Sequence, residues 1–324
     1  MVTETPDATP AGSTASGEIL RVSDLTLHHL VEDRLVIDGA FMSVDSGEVL
    51  GVMGESGSGK SALLFGIIRL LLREVEQRSG RIAYRGEDLM AKSNRQMEQL
   101  RGLEMAMIVP GGKFSLNPVE TAGSQIVDVL RSHFPDRSKK DLADEAIEIL
   151  RIIGIPDPDI RFRAYPHELS GGMAQRILIA KAMACSPQLL LGDEFTVGLD
   201  VTIQAQVMDH FHALLRERNT SLILTTSDLG IAATYCDTIA VIRRGQIVEY
   251  APVLDFFANP QHSYSRLLLS AAREARAQQK MDEARVDVER DTSQDRRFVH
   301  EDLPAPPDLY TLVAPGHLVR LEDE

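Results

Sequence analysis

Glu48-Val49-Leu50-Gly51-Val52-Met53-Gly54-Glu55-Ser56-Gly57-Ser58-Gly59-Lys60-Ser61 is the stretch on which the fold turns. Its first six residues read as a short buried strand, and the next eight fit G-x-x-x-x-G-K-S. The residues from Lys60 to about Leu72 predict a helix. Strand, glycine loop and helix in that order open an α/β nucleotide-binding core. Gly54, Gly57 and Gly59 let backbone N–H groups turn inward around an anion, with Glu55, Ser56 and Ser58 between them, and the helix N-terminus adds its positive dipole end. Lys60 supplies a point charge to the outer phosphates, and Ser61 Oγ is placed to ligate Mg²⁺. A flexible Gly/Ser linker is the plain alternative, and the strand and helix on either side argue against it.

Composition sets the frame around this loop. The chain has 324 residues, 44% of them hydrophobic, so one large domain with appendages is expected. A formal net charge of −14 with no basic cluster speaks against a nucleic-acid groove. Cys185 and Cys236 are too few for a disulfide scaffold and too far apart for a zinc ribbon, so ordinary buried thiols are expected. No stretch is long and apolar enough to span a membrane, which points to a cytosolic chain that docks onto other subunits if it serves a membrane process.

Residues 1–17, rich in Thr, Pro, Ala, Ser and Gly, read as a disordered leader. Short strands follow at Ile19–Val22, Leu25–Leu27 and Leu35–Ile37. Between about Gln96 and Tyr165 the pattern turns helical, which suggests an inserted helical subdomain over roughly 96–168. Strand–helix alternation resumes with strands at Gln188–Asp193, Leu222–Thr226 and Thr238–Ile242 and a helix near Gln204–Arg218. Residues 271–324 begin as a charged, helical stretch and become Pro-rich, which reads as a tail rather than core.

Two further motifs carry chemistry. Gln188-Leu189-Leu190-Leu191-Gly192-Asp193-Glu194 is an apolar strand ending in paired carboxylates. Asp193 is placed to hold the Mg²⁺ shell and Glu194 to polarise an attacking water. An Asp-Glu pair in that setting is more often structural when it stands alone; downstream of a phosphate loop it is not bland. Leu169-Ser170-Gly171-Gly172-Met173, followed by a helix, is a second phosphate-binding nest. One nucleotide does not need two, so the second makes sense if it closes over a nucleotide held by another chain.

Together these segments resemble the nucleotide-binding domain of ATP-binding-cassette transporters, with Leu169–Met173 as the signature and Leu199-Asp200 as the D-loop. Ser115-Leu116-Asn117-Pro118, Tyr165-Pro166-His167-Glu168-Leu169, Leu199–Gln206 and Phe256–Tyr264 resemble the dipeptide/oligopeptide importer branch, as does Val313–His317 near the end. The resemblance implies a RecA-like phosphate-loop core with an antiparallel β subdomain and an inserted helical signature subdomain. It places an ATP-binding domain over 18–270 and a C-terminal extension over 271–324. That extension often carries a cysteine cluster in the family; here no cysteine lies beyond Cys236, so no iron–sulfur cluster is expected. The implied cofactors are ATP and Mg²⁺. The implied partners are a second cassette, two transmembrane permease subunits and an extracellular substrate-binding protein, with this chain peripheral on the cytoplasmic face of the membrane.

Three positions depart from the family pattern. The glutamine that touches Mg²⁺ and senses the γ-phosphate is replaced by Pro110, which has neither a side-chain amide nor a backbone donor. The switch histidine is replaced by Ser227, too short to deliver an imidazole. The aromatic expected beneath the adenine falls at His29. Both γ-phosphate contacts are missing while Lys60, Ser61, Asp193 and Glu194 remain, so the chain's own site is expected to be degenerate. Paired head to tail in a heterodimer, its intact signature would complete the partner's hydrolytic site. The other readings are a non-hydrolysing scaffold or regulatory cassette, and a non-transport cassette ATPase.

Overall fold

The computed structural model describes residues 17–279, 298, 300, 302–305 and 308–321. The leader expected over 1–17 lies outside them except for Gly17. In chain order the strands are β1 (Glu18–His29), β2 (Arg34–Asp45), β3 (Val49–Met53), β4 (Val75–Tyr84), β5 (Glu87–Asp88), β6 (Met105–Ile108), β7 (Leu189–Asp193), β8 (Ser221–Thr226), β9 (Thr238–Arg243), β10 (Gln246–Pro252), β11 (Tyr310–Ala314) and β12 (His317–Arg320). The α-helices are α1 (Lys60–Ile67), α2 (Asn94–Leu100), α3 (Ala122–His133), α4 (Lys139–Ile152), α5 (Pro158–Arg161), α6 (Gly171–Met183), α7 (Val201–Arg218), α8 (Leu229–Tyr235), α9 (Val253–Ala258) and α10 (Ser263–Gln279).

The strands form two sheets. An antiparallel sheet has the order β2-β1-β4-β5, and an eight-stranded sheet has the order β11-β12-β10-β9-β3-β8-β7-β6. Within the larger sheet the pairs β9/β3, β3/β8, β8/β7 and β7/β6 are parallel. Every residue of β3, β7 and β8 is buried. Covering a parallel strand on both faces demands an unbroken apolar run instead of alternation, and Val49–Met53 and Leu189–Leu191 supply one. Each fully buried Leu or Val adds roughly 1.5–3 kcal/mol over its exposed state.

Helix α1 stops earlier than the expected Leu72. Arg69 takes a left-handed conformation (φ 54°), Leu70 N–H bonds back to Phe65 O at 2.8 Å and Arg69 N–H to Gly66 O at 3.1 Å, a six-residue helix stop. The strain at a non-glycine residue is offset by its guanidinium, which donates to Leu89 O and Lys92 O at 2.6 and 2.7 Å. Arg101 caps two of the helix-end carbonyls, Ile68 O and Arg69 O.

The helical insert also begins later than expected. Met105–Ile108, inside the stretch read as helical, is strand β6 paired in parallel with β7, so the insert proper starts at α3. Thr121 and Ser138 cap α3 and α4 through their hydroxyls. Ile126 and Leu130 of α3 and Leu142, Ala146 and Leu150 of α4 are buried in one cluster with α6.

The C-terminal segment corrects the expectation of a tail. β11 and β12 form a hairpin that joins the main sheet at β10. Tyr310 stands edge-on to Phe41, with centroids 4.8 Å apart, and donates to Ile247 O at 2.6 Å. His317 Nε2 meets Glu249 Oε1 at 2.8 Å, and His300 Nε2 lies 2.9 and 3.0 Å from the two oxygens of Glu48; all four residues are buried. The strands of this hairpin are only five and four residues long, and single histidines at 300 and 317 do not reveal buried carboxylate partners, so this docking was not visible in the sequence.

Burial by itself would lower the His300 pKa, but the hydrogen bond and charge of Glu48, with Asp45 and Glu18 nearby, raise it above the ordinary 6.5. Protonated His300 is therefore favoured more in the folded chain than in the unfolded one. Its contribution is complete below 6.5 and is lost as pH rises through the raised folded-state value. Between pH 6 and pH 9 the thermal unfolding midpoint of the wild type should fall further than that of His300→Gln, which keeps a donor but does not titrate. Parallel pH profiles for the two proteins would contradict the assignment.

Candidate nucleotide site

Four segments singled out in the sequence meet at the carboxyl ends of adjacent parallel strands. The phosphate loop follows β3, Pro110 follows β6, Asp193-Glu194 closes β7, and Ser227 follows β8. In the ladders Met53 pairs with Thr226, Asp193 with Thr225, and Ile108 with Gly192. An open parallel sheet places its ligand crevice there because the strand ends diverge into loops while the sheet fixes their spacing.

The loop itself is tightly seated. A Cβ on Gly54 would lie 2.3 Å from Ile242 O, so only glycine lets the backbone pass. Gly59 has φ 112° and begins α1 with no side-chain cap, which leaves the first N–H groups of that helix for an anion. Gly245 N–H, from the β9–β10 turn, donates to Ser58 O at 2.8 Å. Ser58 Oγ is buried against Gly54 without a hydrogen-bond partner, an orphan polar atom inside the loop.

Lys60 is buried and folded back on the loop. Its Nζ donates to Gly54 O (2.8 Å) and Glu55 O (2.9 Å), and pairs with Glu194 Oε1 at 3.1 Å. The ammonium thus lies between two carbonyls and a carboxylate, which a phosphate can exchange for. Ser61 Oγ donates to Asp193 Oδ1 at 3.0 Å, and Thr225 Oγ1 donates to the same oxygen at 2.8 Å. Two hard oxygen donors at hydrogen-bond distance, one of them anionic and buried, suit Mg²⁺. Glu194 adopts φ 39°, and its N–H donates to Thr225 Oγ1 at 3.0 Å and Thr225 O at 3.2 Å. Thr225 therefore orients both carboxylate residues. Its signal in the sequence was a hydroxyl beside the apolar Leu222-Ile223-Leu224, too weak to single it out.

The remaining predicted residues fall as follows. His29 ends β1, and its Nδ1 accepts Glu32 N–H at 3.1 Å, which fixes the ring and leaves Nε2 as the outer nitrogen. Pro110 sits at the start of the loop Pro110–Ser115, where its carbonyl accepts Ser115 Oγ. Ser227 is exposed; the next residue, Asp228, caps α8 by accepting Gly230 N–H at 2.7 Å and Ile231 N–H at 3.2 Å. Among the described residues no hydrogen bond or ion pair ties Pro110 or Ser227 to the phosphate loop.

The signature opens α6. Leu169 is buried, while Ser170 and Gly171 are exposed and Gly172 and Met173 half-buried. Ser170 Oγ accepts Met173 N–H at 3.2 Å, capping the helix. A Cβ on Gly172 would come within 2.5 Å of Ile203, and one on Gly171 within 3.7 Å of Leu199, so the signature packs on the segment of Leu199 and Asp200. Asp200 in turn caps α7 through Thr202 N–H at 3.0 Å. Cys185 is half-buried and Cys236 buried, neither is in a disulfide, and burial raises the Cys185 pKa to about 11, which keeps it unreactive.

Comparison with known proteins gives the family. Residues 37–197 match the family described as ABC transporter. A probable peptide ABC transporter ATP-binding protein of Sinorhizobium fredii is 41% identical over 261 residues, covering 80% of this chain and 78% of that protein. The oligopeptide transport ATP-binding protein OppD of Bacillus subtilis is 41% identical over 256 residues, covering 78% and 71%. Among solved structures, CbiO1 from Clostridium perfringens, part of the ABC transporter complex CbiONQ, superposes with a TM-score of 0.66 at 21% identity, covering 82% of this chain and 100% of that one. The family match and these relatives show that the chain belongs to the ABC transporter family, among its ATP-binding proteins, ATPases whose hydrolysis is coupled to transport.

Proposed function

We propose that this chain is the ATP-binding subunit of an importer for peptides or a related small solute, and that it works as the non-equivalent half of a cassette pair. One observation carries the asymmetry. Lys60, Ser61, Asp193 and Glu194 converge on one crevice, while the two strand ends that flank it, after β6 and β8, present Pro110 and Ser227. In this reading ATP displaces Glu194 from Lys60, and Ser61 with Asp193 holds Mg²⁺, which screens the phosphate charge. His29 lies under the base. Glu194 is then free but lacks the neighbours that would hold a water in line with the γ-phosphate, and displacement of a reactant by 1 Å costs on the order of 100-fold in rate. The site therefore clamps ATP more than it hydrolyses it.

The signature has the opposite character. Ser170 and Gly171 are exposed at the start of a 13-residue helix, and Ser170 is turned back onto its own cap. Such a nest suits the γ-phosphate of ATP held by a second, distinct cassette whose own loop is complete. The pair would sit peripherally at the cytoplasmic face of the membrane, on two permease subunits fed by an extracellular binding protein. No helix among the described residues is long and apolar enough to cross a membrane. That is in keeping with such a place but does not require it.

Three measurements test the proposal. Lys60→Ala should weaken MgATP binding by on the order of 2 kcal/mol, because a buried ammonium supplies the main charge; unchanged affinity by calorimetry would sink the site. Ser170→Arg should stop ATP turnover by the assembled transporter although this chain's own loop is untouched, since bulk on the nest excludes the partner-held phosphate. Full turnover by that complex would show that the signature completes no working site. Glu194→Gln should lower steady-state turnover far less than the same change in the partner cassette, and Pro110→Gln with Ser227→His should restore its importance. If Glu194→Gln alone stops the complex, this chain's site hydrolyses ATP and the asymmetric reading falls.

A further inference from the structure

A tyrosine outside the crevice reaches into the phosphate loop. Tyr264, near the start of α10, accepts the backbone N–H of Glu55 on its hydroxyl at 3.1 Å. The same peptide segment is held from the other side, since Glu55 O accepts Lys60 Nζ at 2.9 Å and Ser58 N–H at 3.2 Å. Glu55 is thus bracketed between Tyr264 and the lysine that must move when phosphate arrives. The Tyr264 ring is itself fixed, buried with the Arg243 guanidinium stacked over it at 4.9 Å. Burial raises its pKa above the ordinary tyrosine value, so the oxygen stays a neutral hydroxyl.

Tyr264 is in turn wired to the C-terminal hairpin. Its N–H donates to His262 Nδ1 at 3.0 Å. The N–H groups of His262 and Gln261 donate to the two oxygens of Glu249, at 3.0 and 2.8 Å. Glu249 Oε1 also meets His317 Nε2, on β12, at 2.8 Å. Glu249 has no exposed surface, and His317, His262 and Tyr264 are 3%, 5% and 6% exposed. A buried carboxylate that loses a donor cannot take water in its place, so its hydrogen bonds tend to hold or fail together.

We propose that Tyr264 is a positioning residue of the phosphate loop, and that through Glu249 and the 261–264 turn the C-terminal hairpin sets how tightly that loop binds a nucleoside triphosphate. The proposal rests on the reading of residues 54–61 as the ATP site. It gives the extension a role at the nucleotide site that needs no cofactor of its own.

The test uses the full chain and MgATP, with affinity from calorimetry and the thermal unfolding midpoint measured together. Tyr264→Phe keeps the ring and its contact with Arg243 and removes only the acceptor, so affinity should fall about fivefold, the equivalent of one neutral hydrogen bond. His317→Gln should weaken binding in the wild-type background and add little in the Tyr264→Phe background, because both act on the same loop. Affinity within twofold of wild type in Tyr264→Phe, with or without a lower midpoint, makes the bond merely structural and overturns the proposal. Equal losses from His317→Gln in both backgrounds overturn the wiring. Lys60→Ala, measured alongside, should lose binding. If it did not, the phosphate-loop reading would fall and this proposal with it, whereas retained affinity in Tyr264→Phe alone leaves that reading intact.

Discussion

The spacing of the parallel ladder from β3 through β8 and β7 to β6 is the constraint on which the rest of this structure depends. Backbone hydrogen bonding fixes adjacent strands roughly 4.8 Å apart, and close packing of β3, β7 and β8, buried on both faces, holds their register. A one-residue shift of β7 would carry Asp193 away from both Ser61 and Thr225 and reverse which side chains face α1. Precision at the crevice is thus a property of the core. The loop adds conformations that only glycine allows, but the sheet decides where those conformations lie.

Within the crevice the balance is electrostatic. A buried ammonium needs acceptors, and Lys60 finds them in Gly54 O, Glu55 O and the Glu194 carboxylate. Glu194 therefore has a structural duty at the crevice, as the carboxylate partner of the buried ammonium. Pro110 and Ser227 stand beyond the ends of β6 and β8, beside the strands that carry this balance. Neither costs the fold anything visible: the proline lies in a loop beyond β6, and the serine precedes a well-capped α8.

The C-terminal hairpin changes how the domain is understood. Strands β11 and β12 extend the main sheet, and two imidazole–carboxylate contacts, His300 with Glu48 and His317 with Glu249, pin the segment to the core at two points. Glu48 immediately precedes β3 and also accepts Thr238 Oγ1 at 2.6 Å, so the first pin touches the strand that launches the phosphate loop. The second reaches that loop by way of the turn before α10.

Much of this was legible in the chain itself. The apolar run before Gly54, the G-x-x-x-x-G-K-S spacing, the Asp193-Glu194 pair and the Ser170–Gly172 turn are local patterns, and local backbone preference and burial make each of them what it is. The end of α1 and the strand Met105–Ile108 were misread because a left-handed Arg69 and a four-residue strand have no periodic signature; the partners that stabilise them, Leu89, Lys92 and β7, lie elsewhere in the sequence. Thr225 and Tyr264 were unreadable for the same reason, since a hydroxyl acquires its role from the group it meets, and Tyr264 meets Glu55 across 209 positions. The sequence by itself determined which chemical groups this protein possesses and the backbone shapes that present them. The tertiary structure alone decided which of those groups share a hydrogen bond, because such a bond needs two atoms within about 3 Å and only the packed sheet sets that distance.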